Sequence, residues 1–279
     1  MRMNISFIGG GNMARAIIGG LKNNGFDMTN ICVIEPNAAT RAALTSEFNV
    51  QTFDTYVENF NTPKTQSVII LAVKPQILQE VCQQLAPKLV NQQTSPPLII
   101  SIAAGIRSQE ISRWLGYYSA IVRVMPNTPA QIQAGISALY AMPHVSQAQR
   151  DQATTILTAV GLTLWLEDET KMDAITAISG SGPAYVFYLI EALQEAAVHL
   201  GLKPEEARLL ALQTFAGASL LAKQSTEDIK TLRAQVTSKG GTTEQGILAL
   251  EAANIKQIIF KAAQAAADKS RTLGGELAQ

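Results

Sequence analysis

The 279-residue chain carries 22 basic and 22 acidic side chains and no formal net charge, and both signs are scattered, so there is no basic stripe of the kind that grips nucleic acid. Cys32 and Cys82 are its only cysteines; they lie far apart in segments that read as structured, so neither a disulfide framework nor a metal cluster is expected. No apolar run reaches the roughly 18 residues of a membrane span. The expectation is a soluble, cytoplasmic protein that acts on a small molecule, with no nucleic-acid, membrane or metal partner.

The length suits two domains better than one, and the composition changes near residue 166. Before that point β-rich runs alternate with helical spacings; after it, alanine and leucine recur at long helical periods with no convincing strand. Residues 1–166 are therefore read as an α/β domain and 167–279 as an all-α domain. The first strand covers 4–8, the glycines at 9–11 turn it, and Met13, Ile17 and Leu21 set the spacing of a helix over 12–24 that Gly25 stops. A second strand, 31–35, closes at Pro36, and Asn37 is placed to cap a helix that runs through Phe48. A helix enters through Pro75, and further strands are expected at 67–73, 98–102, 120–124, 135–141 and 162–166. The near-continuous apolar runs SVIILAV and PLIISIA predict strands covered on both faces, as in a parallel sheet flanked by helices. This half is thus a Rossmann-type, doubly wound domain, with the direction of its later strands left open.

Ile8 leads into Gly9, Gly10 and Gly11, after which Asn12, Met13 and Ala14 open the helix, so that G-x-G-x-x-A joins strand to helix. The first glycine allows a tight turn, the second lets main chain approach a pyrophosphate, and the small alanine lets helix and strand pack closely. Glu35 follows at the end of the second strand, where an acidic residue meets the adenosine ribose of a dinucleotide. It either accepts both ribose hydroxyls of NADH, repelling the 2′-phosphate of NADPH, or swings aside so that Asn37 and Arg41, beyond Pro36, hold that phosphate. The choice between NADPH and NADH stays open.

Two more loops leave strands at the carboxyl edge of the sheet, where ligands bind. One is Ala72, Val73, Lys74 and Pro75; the other is Ile102, Ala103, Ala104 and Gly105. Lys74 reads equally as a catalytic cation and as a solvated lysine ahead of a helix. In VMPNTPA two prolines hold Asn127 and Thr128 in place, a rigidity useful beside a nicotinamide ring and equally normal in a crossover turn.

In the second half, Pro183 sits in the first turn of a helix expected to run to Leu200 and to stop at Gly201. Its opening, AYVFYLI, is apolar on every side, and a helical domain of about a hundred residues can hardly bury such a helix alone. A homodimer built through this half is expected. The other unusual stretch is VTSKGGTTE, from Val236 to Glu244. A glycine pair with free amides at a helix start, flanked by hydroxyls, makes an anion site suited to a carboxylate; a plain cap would need only one threonine.

GGGNMARAI, AVKP, MPNTPA, DAITAISGSGPAYVF with EAL following, and VTSKGGTT occur in the order and approximate spacing of the pyrroline-5-carboxylate reductases, which the chain resembles over essentially its whole length. The resemblance implies hydride transfer from NADPH or NADH to the imine carbon of 1-pyrroline-5-carboxylate, giving L-proline in the last step of its biosynthesis. It implies an intertwined homodimer, extendable to a decamer, whose helical domains dimerise and complete each other's substrate sites. It also implies that Val236, Ser238, Gly240, Gly241, Thr242 and Thr243 form the substrate loop. Ser238 and the amides of 240–243 would hold the carboxylate, and the Thr243 hydroxyl would bond the ring nitrogen. One departure stands out: the family's pattern has proline where this chain has Lys239, which leaves the start of the loop less rigid and adds a positive charge. The β-hydroxyacid dehydrogenases share the layout, but they resemble one another in a catalytic helical lysine that 185–200 lack.

Overall fold

The structure is a computed structural model that describes residues 3–55, 67–90 and 96–277. These form two compact units: residues up to Ser181 together with those from Ala266 onward, and Gly182–Ala265.

In the first unit eight strands make one sheet: β1 (Asn4–Ile8), β2 (Ile31–Ile34), β3 (Gln51–Phe53), β4 (Ser67–Leu71), β5 (Leu98–Ser101), β6 (Ile121–Met125), β7 (Gly135–Ala141) and β8 (Gly161–Leu166). Their order is β3-β2-β1-β4-β5-β6-β7-β8. All neighbours are parallel except β6 and β7, which are antiparallel. This answers the question of direction that the sequence left open. The three-residue β3 has no counterpart among the expected strands because it is too short to show an alternation.

The apolar runs divide by parity. Val68 and Ile70 join Ile5, Phe7 and Val33 in a cluster under helices α1 (Asn12–Asn23), α2 (Ala38–Phe48) and, further along the chain, Gln147–Thr158. Ile69 and Leu71 join Ile8, Ile34 and Ile99 under α3 (Pro75–Val90) and α4 (Ser108–Trp114). Side chains on a strand alternate between faces, so a strand covered by helices on both sides must be apolar at every position. Each fully buried isoleucine or leucine contributes roughly 1.5–3 kcal/mol, which is why these runs carry so few polar residues. Asn37 caps α2, its side-chain oxygen accepting from the Thr40 N–H at 2.9 Å.

The composition change at residue 166 coincides with the end of β8, yet the chain stays with the first unit as far as Ser181. One reason is a buried ion pair. Arg123 in β6, 3% exposed, lies 2.9 Å from Glu169 just beyond β8. The Glu169 carboxylate also accepts from the N–H and the hydroxyl of Ser108, each at 2.7 Å, so sheet, α4 and the post-β8 segment meet at one carboxylate. A helical stretch follows, through α6 (Met172–Ile175, with Gln147–Thr158 counted as α5) and a π-helical turn at Thr176–Gly180.

The second unit contains α7 (Gly182–His199), α8 (Pro204–Gln224), α9 (Ile229–Gln235), α10 (Thr242–Ala252) and the first part of α11 (Ile255–Leu277). Gly201 ends α7 at φ +94°, a left-handed conformation that a glycine adopts at little cost. Val186, Phe187, Tyr188 and Leu189 of α7 are exposed within the single chain. Among the described residues no helix is long and apolar enough to cross a membrane, and no cluster of His, Cys, Asp and Glu is arranged to hold a metal ion.

A nucleotide cradle and a carboxylate loop as the candidate active site

The chain leaves β1 toward β2 on one side and returns through β4 on the other, so the carboxyl ends of β1 and β4 flank the crevice of a topological switch point. Gly9 stands there at φ +97°, and a Cβ on it would lie 2.7 Å from the Ala72 carbonyl oxygen. Only glycine fits so close to that backbone. Gly11 is the residue preceding α1, and a Cβ on it would meet nothing within 4 Å, so this side of the loop is open. No side chain caps α1 and no acidic residue occupies its first turn. The amides of Asn12, Met13 and Ala14 therefore have no acceptor within the helix and present positive ends to an anion. An open glycine cradle with unpaired amides fits the pyrophosphate of a dinucleotide.

Glu35 borders this cradle. One oxygen of its carboxylate accepts from the Gly10 N–H and the other from the Asn37 N–H, both at 2.9 Å. Arg41 is committed to main chain, donating to the carbonyls of Glu35 and Pro36 at 2.8 Å each. On the other side, Ala72 N–H donates to Ile8 and Ile102 N–H to Leu71, which lines up the loops after β4 and β5 along the same edge. Lys74 is exposed there, Pro75 begins α3, Val73 lies against Gly9 and Ala103 is buried. Asn127 follows β6; its side-chain oxygen accepts from the Ile136 N–H at 2.9 Å, which fixes the orientation of the side-chain amide.

The second unit holds the loop expected to bind a carboxylate. The Gly241 N–H donates to the Ser238 carbonyl at 3.0 Å, closing a four-residue turn with Gly240 third at φ +74°. Lys239, second in the turn, is not among the positive-φ residues, so this is a type II turn, the kind that favours proline at the second position and glycine at the third. The Gly240 N–H donates to the Glu244 carboxylate at 2.6 Å. Two of the amides expected to bind the substrate carboxylate are thus engaged within the loop. Those of Thr242 and Thr243, in the first turn of α10, have no acceptor in the helix, and both residues are exposed, as are Val236 and Ser238.

Three contacts near these loops were not singled out from the sequence. Glu244 as the partner of Gly240 has a local signal, a glutamate in the first turn of a helix, which commonly reaches back to an amide ahead of it. Ser270 and Gly274 have none. The Ser270 hydroxyl donates to Asp173 at 2.8 Å, and a Cβ on Gly274 would lie 2.4 Å from the Gly105 carbonyl oxygen. The end of α11 therefore backs the loop that contains Ala103.

A doubly wound sheet with an open glycine cradle at its switch point, followed by a helical unit, is the layout of a nicotinamide-dinucleotide-dependent oxidoreductase. Residues 4–105 match a family model described as NADP oxidoreductase, coenzyme F420-dependent, and residues 169–273 match one described as pyrroline-5-carboxylate reductase dimerisation. The chain is 44% identical over 275 residues to the pyrroline-5-carboxylate reductase of Pseudomonas aeruginosa, with 99% of this chain and 98% of that one covered. Its structure is similar to that of a pyrroline-5-carboxylate reductase from Coxiella burnetii, with TM-score 0.89, 42% identity and coverage of 97% and 98%. A Plasmodium falciparum pyrroline carboxylate reductase solved with NADP bound gives TM-score 0.83 at 30% identity, covering 97% of this chain and 98% of that one. The chain belongs to the pyrroline-5-carboxylate reductase family.

Proposed function

We propose that the chain carries out the reaction for which its family is named, the reduction of 1-pyrroline-5-carboxylate to L-proline with NADPH or NADH. The observation that carries this reading is the presence in one chain of both an open glycine cradle and a type II turn that delivers two unpaired amides at the start of α10. When bound, the dihydronicotinamide supplies the hydride that, with a proton from solvent, converts the imine C=N bond into the C–N bond of proline.

The residues divide the remaining work. Ile8, Gly9, Gly11 and the first residues of α1 hold the pyrophosphate, Glu35, Pro36 and Asn37 border the adenosine ribose, and Ala72–Pro75, Ala103 and Asn127 line the nicotinamide side. Ser238 and the amides of Thr242 and Thr243 hold the substrate carboxylate, while the Thr243 hydroxyl bonds the ring nitrogen and orients the imine. Catalysis then rests on holding the two rings in contact with water excluded. Residues 1–166 act as the dinucleotide-binding domain and 167–279 as the dimerisation and substrate-binding domain, in a cytoplasmic homodimer that can assemble to a decamer. The exposed apolar side chains of α7 support the dimer.

The test is initial-rate oxidation of NADPH and of NADH by the purified protein, with and without 1-pyrroline-5-carboxylate, for the unaltered chain and for Thr243→Val. Imine-dependent oxidation that falls at least about tenfold in the variant, with nucleotide binding intact, is expected. Absence of imine-dependent oxidation by folded, nucleotide-binding protein would overturn the reading, and unchanged kinetics in the variant would remove Thr243 from it.

A further inference from the structure

The substrate loop has an internal anchor. The turn of residues 238–241 is closed by one main-chain hydrogen bond, from Gly241 to Ser238, with Gly240 in the left-handed region. Proline at the second position of such a turn would fix φ near the required value and remove conformations from the unbound loop. Lys239 does neither. What stands in this chain is a side chain from the following helix: the Glu244 carboxylate accepts from the Gly240 N–H at 2.6 Å, bracing the one residue whose φ defines the turn. A hydrogen bond to an ionised acceptor is among the stronger ones available to a surface loop.

We propose that Glu244 is a positioning residue of the substrate loop, taking over the ordering role of a turn proline by holding Gly240 so that the amides of Thr242 and Thr243 stay free and aimed for a ligand carboxylate. The proposal rests on the reading of this loop as the substrate site. Its chemistry is specific in one respect. The anchor uses the Gly240 amide and not those of α10, so the carboxylate of the protein and the carboxylate of the substrate take different donors and both are bound at once. Lys239, exposed in the same turn, brings a positive charge to a place where two negative groups gather.

Glu244→Ala, Glu244→Gln and the double variant Lys239→Pro with Glu244→Ala distinguish this from a simple helix cap. In the full-length protein, Glu244→Ala is expected to raise KM for 1-pyrroline-5-carboxylate roughly tenfold with kcat within about twofold, the pattern of lost ground-state positioning. Glu244→Gln, whose amide oxygen still accepts from Gly240, is expected to stay within about threefold of the unaltered KM. Adding Lys239→Pro to the alanine variant is expected to recover most of the loss, which a helix cap would not predict because proline at 239 does nothing for the α10 amides. Hydrogen exchange over residues 236–244, followed by mass spectrometry without substrate, reads the same ordering independently of turnover. Faster exchange in Glu244→Ala and its reversal by Lys239→Pro are expected. Unchanged exchange in Glu244→Ala would overturn the proposal whatever the activity, as would an unrescued rise in KM. Failure of the unaltered protein to reduce the imine would instead fall on the functional reading, with the exchange result still deciding the role of Glu244.

Discussion

The proposed place of Glu35 beside the adenosine ribose makes it the residue that would set the preference between NADPH and NADH, and Glu35→Ser tests this directly. The carboxylate is fixed by two main-chain donors, Gly10 and Asn37, each at 2.9 Å, so it cannot swing aside without losing both bonds. Arg41, the nearest cation in sequence, is already spent on two carbonyls. A 2′-phosphate placed about 5 Å from that carboxylate, at an effective dielectric between about 20 and 80, would be repelled by roughly 1–3 kcal/mol per unit charge. The exposed side of the site and salt pull this toward the lower end. Removing the charge therefore favours NADPH by at least about 1 kcal/mol, while loss of the acceptor for the ribose hydroxyls disfavours NADH by a similar amount. Together these predict a rise of roughly tenfold to a hundredfold in the ratio of kcat/KM for NADPH over NADH. The assay is initial-rate kinetics with both cofactors at one ionic strength. A ratio that moves by less than about twofold in a folded variant would refute the reasoning, because neither the repulsion nor the lost hydrogen bonds would then exist.

Glu169→Ala leaves Arg123 buried without its anion and both Ser108 donors without their acceptor, so a loss of about 3–5 kcal/mol is expected, read as a fall in Tm on the order of 10 °C; a shift under about 2 °C would show that the pair is not buried in solution. Gly274→Ala puts a methyl group against the Gly105 carbonyl and should displace the loop holding Ala103, raising the KM for NAD(P)H by about threefold to tenfold with a modest loss of Tm; unchanged values of both would refute the contact. Burial pushes the Cys82 thiol up to about 12 and raises that of Cys32 as well, the latter despite a hydrogen bond with Ser6 that works in the opposite direction. Neither forms thiolate near neutral pH, so a thiol reagent should label neither in the folded protein and both after denaturation, and rapid labelling of either in the native state would contradict the packing.

What was legible in the sequence was local or periodic. SVIILAV announces a strand covered on both faces because each of its residues must satisfy one face or the other, and the parity of Val68, Ile69, Ile70 and Leu71 between two clusters bears this out. The glycine cradle was legible because its constraint, a main chain that must come close to Ala72 and leave Gly11 open, is written in consecutive residues. Other features depend on partners far along the chain. Arg123 and Glu169 are separated by 46 residues and Ser270 and Asp173 by 97, and nothing in the flanking sequence of any of them signals the other. For the same reason the composition change near residue 166 marks the last strand, while the compact unit continues to Ser181 and regains the chain from Ala266. The 236–244 loop lies between these cases. VTSKGGTT signals an anion site through its glycines and hydroxyls, but which amides remain free depends on the turn type and on where the Glu244 side chain goes.

The helical unit adds an energetic argument that bears on assembly. Successive residues of an α-helix point about 100° apart, so four in a row sample nearly its whole circumference. Val186, Phe187, Tyr188 and Leu189 are such a run, and all four are exposed in the single chain, Phe187 by 66% and Tyr188 by 71%. One neighbouring helix covers only one stripe, so α8 packed beside α7 leaves the rest to be covered from other directions. Leaving each large side chain in water forgoes roughly 1.5–3 kcal/mol, and such residues recur through the unit at Leu209, Leu221, Ile258 and Phe260. Against a net folding stability of about 5–15 kcal/mol, that deficit is too large to be incidental. In the proposed homodimer a second copy related by a two-fold axis would present the same apolar surface in return, each protomer supplying cover that the other lacks. In that assembly, dimerisation is thus part of the folding of the helical unit that carries the 236–244 loop.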